Sequence, residues 1–594
     1  MCGIAGELRL DGGRPDPAVL QRMTDRLARR GPDAEGLHVD GPLGFGHRRL
    51  AIIDLSPRSA QPMVDPASGL ALAFNGTIYY YPALRAELIE RGHVFHSDGD
   101  TEVILRAYAE WGEACVERLH GMFAFALWDP RVGQLFLARD RLGIKPLYYA
   151  ELAGAVRFAS STQALLAAGG VDTAIDPVAL HHQFTLHAVV PAPRTILAGV
   201  RKVAPATTLT IDRTGQKRER RYWSLAACRP EQAMSEGEWA EAIHASLGRA
   251  VEKRLSIADV KVGVLLSGGL DSSLLVALLA EHGVSDLMTF SVGFEDQPEE
   301  RGHEFEYSDA VAAHYGTRHH QYSIPNHAVL ERLPEAVDAM AEPMVGQDAV
   351  AFYLLAEQVS KTVKVVQSGQ GADEVFGGYF WYPRMHAETE GPPVERFRRH
   401  YFDRDHDEYL ATVDPRYHGP DHTAALIAAR LAEPFADDFI DQVLRMDTTM
   451  LITDDPVKRV DNMTMAWGLE ARVPFLDHEL VELAARMPPE LKLASGGKHI
   501  LKRIARGRLP DAVIDRKKGY FPMPALKYVR GDFLAFMRAI LDSEACRRRG
   551  LFRRDYVDRL LAEPERHHTR IQGSKLWHLA LLELWLQRNL DAAG

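Results

Sequence analysis

Cysteine is scarce. Four residues, Cys2, Cys115, Cys228 and Cys546, are spread over 594 positions with no C-x-x-C pair. This spacing indicates neither a disulfide framework nor a zinc site, and it fits a reducing, cytoplasmic setting. No apolar run approaches 18 residues, so no membrane span is expected. No basic segment followed by an apolar stretch opens the chain as a signal peptide would. Basic charge is outweighed: 70 Lys and Arg stand against 81 Asp and Glu, a net charge of −11. Nucleic-acid binding wants a basic face, and this balance argues against it. Internal repeats and long low-complexity tracts are absent. The 25 histidines are scattered without metal-ligand spacing. A composition of 46% hydrophobic and 25% charged residues is that of a globular protein, long enough for more than one domain.

One stretch organises the rest. Ser267-Gly268-Gly269-Leu270-Asp271-Ser272-Ser273 follows the apolar, β-branched run Val260 to Leu266 and precedes Leu274 to His282, which reads as a helix. The glycines let the backbone bend tightly and approach a ligand. The serine hydroxyls and a helix N-terminus supply donors where anionic oxygens would sit. The lysine of G-x-x-x-x-G-K-[ST] is missing, so a γ-phosphate is not held in the P-loop manner. Asp271 beside phosphates calls for a divalent cation between them, and Mg²⁺ is the natural choice. The plain alternative is a Gly/Ser turn before an ordinary helix. The stretch resembles the pyrophosphate-binding loop of the ATP pyrophosphatases, which cleave ATP to AMP and pyrophosphate and adenylate a substrate.

The chain opens Met1-Cys2-Gly3-Ile4-Ala5-Gly6. Removal of Met1 would leave Cys2 with a thiol and an α-amine of ordinary pKa about 7.7–8.0. That amine can serve its own nucleophile as base. Position alone favours a buried, inert cysteine in the first strand, a reading that the later motifs reverse. Further motifs follow in order: Arg30-Gly31-Pro32-Asp33, Gly46-His47-Arg48-Arg49-Leu50-Ala51-Ile52-Ile53-Asp54, Phe74-Asn75-Gly76-Thr77-Ile78-Tyr79, Gly99-Asp100-Thr101-Glu102, Gly121 to Ala126, and Ala138 to Tyr149. Behind that opening, roughly residues 1–210 resemble the class II glutamine amidotransferase domain. The resemblance implies that Cys2 attacks the side-chain amide of glutamine and releases ammonia. The Asn75 amide and the Gly76 N–H would form the oxyanion hole. Arg49 would pair with the glutamine α-carboxylate, with Leu50, Ile52 and Ile53 beside it, and Asp100 would hold the α-ammonium. One departure is Thr77. The family usually has Glu there, so the second anionic contact to the ammonium is missing or replaced.

Beyond Glu231 to Glu252, which reads as an amphipathic helix, strands alternate with helices. Leu287 to Phe294 and Val363 to Gln367 read as buried strands, the second leading into Ser368-Gly369-Gln370-Gly371-Ala372-Asp373-Glu374-Val375-Phe376-Gly377-Gly378-Tyr379. Such alternation argues for a parallel sheet with ligands at the carboxyl ends of its strands. Residues 384–450 read as helices and solvated faces without chemistry. Three later motifs, Met463 to Asp477, Gly497-Lys498-His499-Ile500-Leu501-Lys502 and Arg516-Lys517-Lys518-Gly519-Tyr520, resemble the synthetase domain of glutamine-hydrolysing asparagine synthetases. In that resemblance Leu266, Ser267, Gly268, Gly269, Asp271, Ser272, Val292, Ser368 and Gly369 contact ATP. Asp271 and Asp373 flank Mg²⁺, and Lys498 stabilises charge on the pyrophosphate leaving group and the adenylate. Leu576, Trp577, Leu581, Leu584 and Trp585 recur at helical spacing and read as core.

The resemblance spans essentially the whole chain. It implies a four-layer αββα N-terminal-nucleophile hydrolase domain over residues 1–215 and a doubly wound α/β ATP-pyrophosphatase domain over residues 230–594. Ammonia freed at Cys2 would attack an acyl-adenylate, giving an amide and AMP. The partners implied are glutamine, ATP and a carboxylate acceptor, with no nucleic acid or membrane, and a homodimer left open. An acidic residue usually follows Ser-Gly in the second loop of asparagine synthetases; here it is Gln370. With Phe380-Trp381-Tyr382-Pro383, this resembles the N-acetylglutaminylglutamine amidotransferase branch and favours an N-blocked dipeptide acceptor over aspartate. A β-lactam-synthetase-like cyclase would need no glutaminase, against which Cys2 and Asn75-Gly76 stand. A non-catalytic glutamine-binding module is the remaining reading.

Overall fold

The computed structural model describes residues 2–516 and 523–591. Two six-stranded antiparallel sheets occupy the N-terminal part. In one, Cys2–Arg9 lies between Leu43–Arg49 and Ala155–Ala159; in the other, Ala71–Ile78 lies between Met63–Val64 and Gly121–Asp129. Side chains alternate across a strand, and the sequence uses that alternation to separate two layers. Ala71, Ala73, Ala124 and Ala126 point between the sheets, against Ile4, Phe45 and Phe158. Leu72, Phe74, Phe123 and Phe125 point to the other face, where they pack with Val103 and Tyr108 of the Asp100–Trp111 helix. Small residues on these strands of the second sheet make room for large ones from the first; large residues on the outer face anchor the helix. The Pro17–Asp25 and Thr162–Ala167 helices cover the first sheet, completing the αββα order.

The C-terminal part is built on a five-stranded parallel sheet. Its order is Arg318–Ile324, Met288–Phe294, Val262–Leu265, Val365–Gln367, Glu470–Arg472. Chain order therefore reverses between Val262–Leu265 and Val365–Gln367, which pair in parallel. A crevice opens at the carboxyl ends of strands at such a reversal. The two Gly-rich loops leave these two strands and flank it. The helix expected from Glu231 runs from Glu236 to Ser256 instead. Ser235 caps it: its hydroxyl accepts from the Glu238 N–H while the Glu238 carboxylate accepts from the Ser235 N–H. This capping box fixes the start, and the preceding residues form the crossing. The C-terminal helix Lys575–Asn589 buries Leu576, Trp577, Leu581, Leu584 and Trp585, as core spacing predicts. Its two indoles donate to the carbonyls of Val345 and Met340, at 2.9 and 2.7 Å.

The two parts meet through buried charge. Asp461 receives Arg30 at 2.9 Å and Lys145 at 3.0 Å. Lys202 lies 3.1 Å from Glu342 and 2.8 Å from Asp454, with Lys458 on the same acids.

Candidate active sites

Cys2 begins its strand directly opposite Arg49 and is buried. Its backbone N–H donates to Asn75 Oδ1 at 3.0 Å. That bond commits the amide oxygen and turns Nδ2 the other way, where this buried donor meets no acceptor among the described residues. A buried donor without an acceptor is costly, and one beside a thiol is ready for an oxyanion. At Gly76 a Cβ would lie 2.2 Å from the Met122 carbonyl oxygen, so only glycine fits between the strands. Burial pushes the Cys2 thiol above its ordinary range, against the pull of the Leu50 backbone and the Arg49 charge. The resting sulfur is therefore a protonated thiol that needs a base.

Arg49 is fixed by the carbonyls of Ser56, at 3.0 Å, and Asp54. Leu50 and Ile52 are buried and Ile53 half-buried along the same loop. The C-terminal part supports it: Asp259 accepts from the Asp54 N–H at 2.8 Å and donates its own N–H to the Ile52 carbonyl at 2.9 Å. Asp100 is buried at the first turn of its helix and accepts from the Ile78 N–H at 3.0 Å. Burial, and then the charge of Glu470, raise its carboxyl to about 6. Thr77 donates to Glu470, with the two carboxylate oxygens 3.3 and 3.5 Å away. Motif reading missed this proximity, because Glu470 lies 393 residues along the chain.

The second site is the crevice of the parallel sheet, a cleft of about 540 Å³. Leu266, Ser267, Gly269, Asp271, Ser272, Val292, Ser368, Gly369 and Gln370 all line it. Gly268 turns the loop at φ 73°, where a Cβ would come 2.6 Å from the Ser308 nitrogen. The Ser272 hydroxyl accepts from the Ser267 N–H at 3.2 Å and donates to the Gly269 carbonyl at 3.2 Å, so the loop is braced by its own hydroxyls. Lys498 bridges the expected metal carboxylates, 2.5 Å from Asp271 and 2.6 Å from Asp373. Although burial opposes its charge, the two acids raise the lysine well above the ordinary range. Asp271 and Asp373 thus converge on one cation already. Two hard oxygen donors facing one point, at the mouth of a phosphate loop, fit Mg²⁺.

The segment read as solvated contributes to this cleft. Tyr401 closes the Pro393–Tyr401 helix and faces it, four residues after buried Phe397, a spacing that could have revealed the apolar stripe. Asp447, Leu451, Asp455 and Arg459 recur every fourth residue and also line it. Two π-helical turns, Asp447–Leu451 and Thr453–Val457, widen the helical repeat enough to hold these side chains in one row. Arg516 lines the cleft and pairs with Glu304 at 2.9 Å. The rest of its motif, Lys517 to Tyr520, lies outside the described residues.

Comparison with known proteins bears on both sites. The glutamine amidotransferase domain model matches residues 1–223, and the asparagine synthase model matches residues 242–587. Asparagine synthetase (glutamine-hydrolyzing) 1 of Bacillus subtilis (strain 168) is 31% identical over 100% of this chain and 97% of its own length. A putative asparagine synthetase (glutamine-hydrolyzing) of Mycobacterium bovis is 33% identical over 98% of this chain and 97% of its own. Amidase chry2 of Gibberella zeae is 28% identical over 88% of this chain and 89% of its own. The chain belongs to the glutamine-hydrolysing asparagine synthetase family, whose members join a glutamine amidotransferase to an ATP-dependent ligase.

Proposed function

We propose that the chain amidates the carboxylate of an N-blocked dipeptide, such as N-acetylglutaminylglutamine, with ammonia taken from glutamine at Cys2. In the first half-reaction the Cys2 sulfur attacks the glutamine amide, its proton passing to the α-amine exposed by loss of Met1. The Asn75 Nδ2 and Gly76 N–H receive the oxyanion, Arg49 holds the α-carboxylate, the α-ammonium returns its proton to the departing nitrogen so that ammonia leaves, and water then hydrolyses the glutamyl thioester to glutamate. In the second, the Ser267 to Ser272 loop and Ser368-Gly369 orient ATP for attack by the acceptor carboxylate. Bound Mg²⁺, held by Asp271 and Asp373, would neutralise phosphate charge there. Lys498 stabilises the charge that builds on the departing pyrophosphate and the adenylate. Ammonia then displaces AMP. It must travel unprotonated, so its route follows the buried interface between the parts.

The observation carrying the acceptor reading is Gln370. It lines the cleft directly after the nucleotide-loop residues Ser368 and Gly369, and it is neutral. Free aspartate brings an α-ammonium that wants an anionic partner; an N-acyl group matches a neutral amide. Beyond Gln370 the cleft is lined by Tyr379, Trp381, Tyr401 and Trp577, aromatic surface for an acceptor longer than aspartate. The test compares aspartate with N-acetylglutaminylglutamine, each with ATP, Mg²⁺ and glutamine. We expect at least about tenfold preference for the dipeptide, about 1.4 kcal/mol. Efficient asparagine formation with the dipeptide inert returns the chain to asparagine synthesis.

A further inference from the structure

Three contacts on the Ala71–Ile78 strand lie close to Cys2. Asn75 accepts from the Cys2 N–H, Thr77 donates to Glu470, and the Ile78 N–H donates to Asp100. Asn75 and Thr77 are two residues apart on an extended strand, so their side chains leave the same face. Glu470 comes from the other part of the molecule. It starts the Glu470–Arg472 edge strand and is completely buried. Arg472 donates to it at 2.5 Å. Burial would neutralise the Glu470 carboxyl, but nearby positive charge, that of the chain's amino terminus first and then Arg472 and Lys145, holds it below its ordinary range. Its charge reaches Asp100, whose carboxyl it raises. Two buried carboxylates are thus held by the strand that also bonds the Cys2 N–H, Asp100 at Ile78 and Glu470 at the Thr77 hydroxyl.

We propose that Glu470 is the second anionic partner of the glutamine α-ammonium, so that the synthetase part of the chain completes the glutamine site. A threonine side chain stops at its hydroxyl; the Glu470 carboxylate begins one hydrogen bond further on. Hydroxyl and carboxylate together span what a longer acidic side chain at position 77 would reach. A desolvated ammonium between Asp100 and Glu470 also relieves the repulsion that those two acids exert on each other. The inference rests on the reading of Cys2 as the glutaminase nucleophile.

The test uses the full chain and two amide substrates: glutamine, and glutaramate, which lacks only the α-amine. Ammonia release gives kcat and KM for each. In Glu470→Gln we expect KM for glutamine to rise at least about tenfold, with the loss falling on KM. The preference for glutamine over glutaramate, as a ratio of kcat/KM values, falls by the same factor. Thr77→Glu restores that preference in the Glu470→Gln background. In the wild-type background it does not lower KM, since a third carboxylate then meets Glu470. If Glu470 serves only as the structural partner of Arg472, both substrates lose equally and the preference stays, which overturns the proposal. Wild-type KM and preference in Glu470→Gln overturn it as well. Glutamine hydrolysis that survives Cys2→Ala refutes the nucleophile reading instead, whatever Glu470 does.

Discussion

Asp100 shows at one residue how a buried charge weighs on stability. Its carboxyl ionises at about 6 when folded, against an ordinary value of 3.8, because it is buried and faces Glu470. The folded state therefore holds this proton more tightly than the unfolded state. Stability from the group is fully present below pH 3.8, is lost as pH rises toward 6, and stays lost above it. That difference corresponds to about 3 kcal/mol. Asp100→Asn keeps an acceptor for the Ile78 N–H and removes the charge. It should raise the melting temperature at pH 8, with the gain shrinking at pH 5, while KM for glutamine rises. A melting temperature unchanged or lowered at pH 8 would contradict this assignment. In the wild-type enzyme KM for glutamine should climb as pH falls through 6, as Asp100 takes up its proton; a flat profile from pH 8 to 5 would count against it. None of this was visible in the sequence. The Gly-Asp-Thr-Glu motif named Asp100, but its environment depends on Glu470, which only folding brings near.

The strands and loops of the parallel sheet were the most legible elements. Val262–Leu265 and Val365–Gln367 are short and mostly apolar, and each runs into a Ser-Gly turn, so strand and turn signals agree. The alternation in Gly121–Asp129 likewise sorts phenylalanine from alanine by face. The Asp447–Arg459 row was not legible, because π-helical turns break the 3.6-residue period by which a helix face is recognised. Glu470–Arg472, three residues long, is too short to announce itself as a strand. Yet it touches both sites: Glu470 meets Thr77, and the Arg472 carbonyl accepts from the Ser368 N–H at 2.9 Å. The two Gly-rich loops make a sharper prediction. A Cβ at Gly378 would lie 2.1 Å from Asp373 Oδ1 and 2.2 Å from Lys498 Cε. Gly378→Ala should therefore separate Lys498 from Asp373 and cut ammonium-driven AMP formation at least about tenfold. Glutamine hydrolysis measured on the same preparation reports whether the protein is folded. Asp373→Asn should likewise abolish pyrophosphate release while glutamine hydrolysis continues. Near-normal adenylation by either variant would remove this carboxylate from the nucleotide site.

Over the whole molecule the two parts are joined by charges that cannot be separated cheaply. Lys202, from the N-terminal part, is buried with Glu342 and Asp454 of the other. Removing one partner of a buried ion pair leaves an uncompensated charge and costs about 3–5 kcal/mol. Lys202→Met should lower the melting temperature, and glutamine hydrolysis and AMP formation should fail together on heating. Loss of one activity well before the other would show that the parts do not depend on this cluster. Such an interface suits an enzyme in which one site feeds another, and that division of labour is the centre of the account. It is tested most directly in the Cys2→Ala enzyme, by following AMP with glutamine or with an ammonium salt at alkaline pH as nitrogen source. No glutamate from glutamine and no glutamine-driven AMP are expected, with ammonium-driven AMP formation close to wild type. A folded Cys2→Ala protein that still hydrolyses glutamine, or that cannot use ammonium, would contradict it.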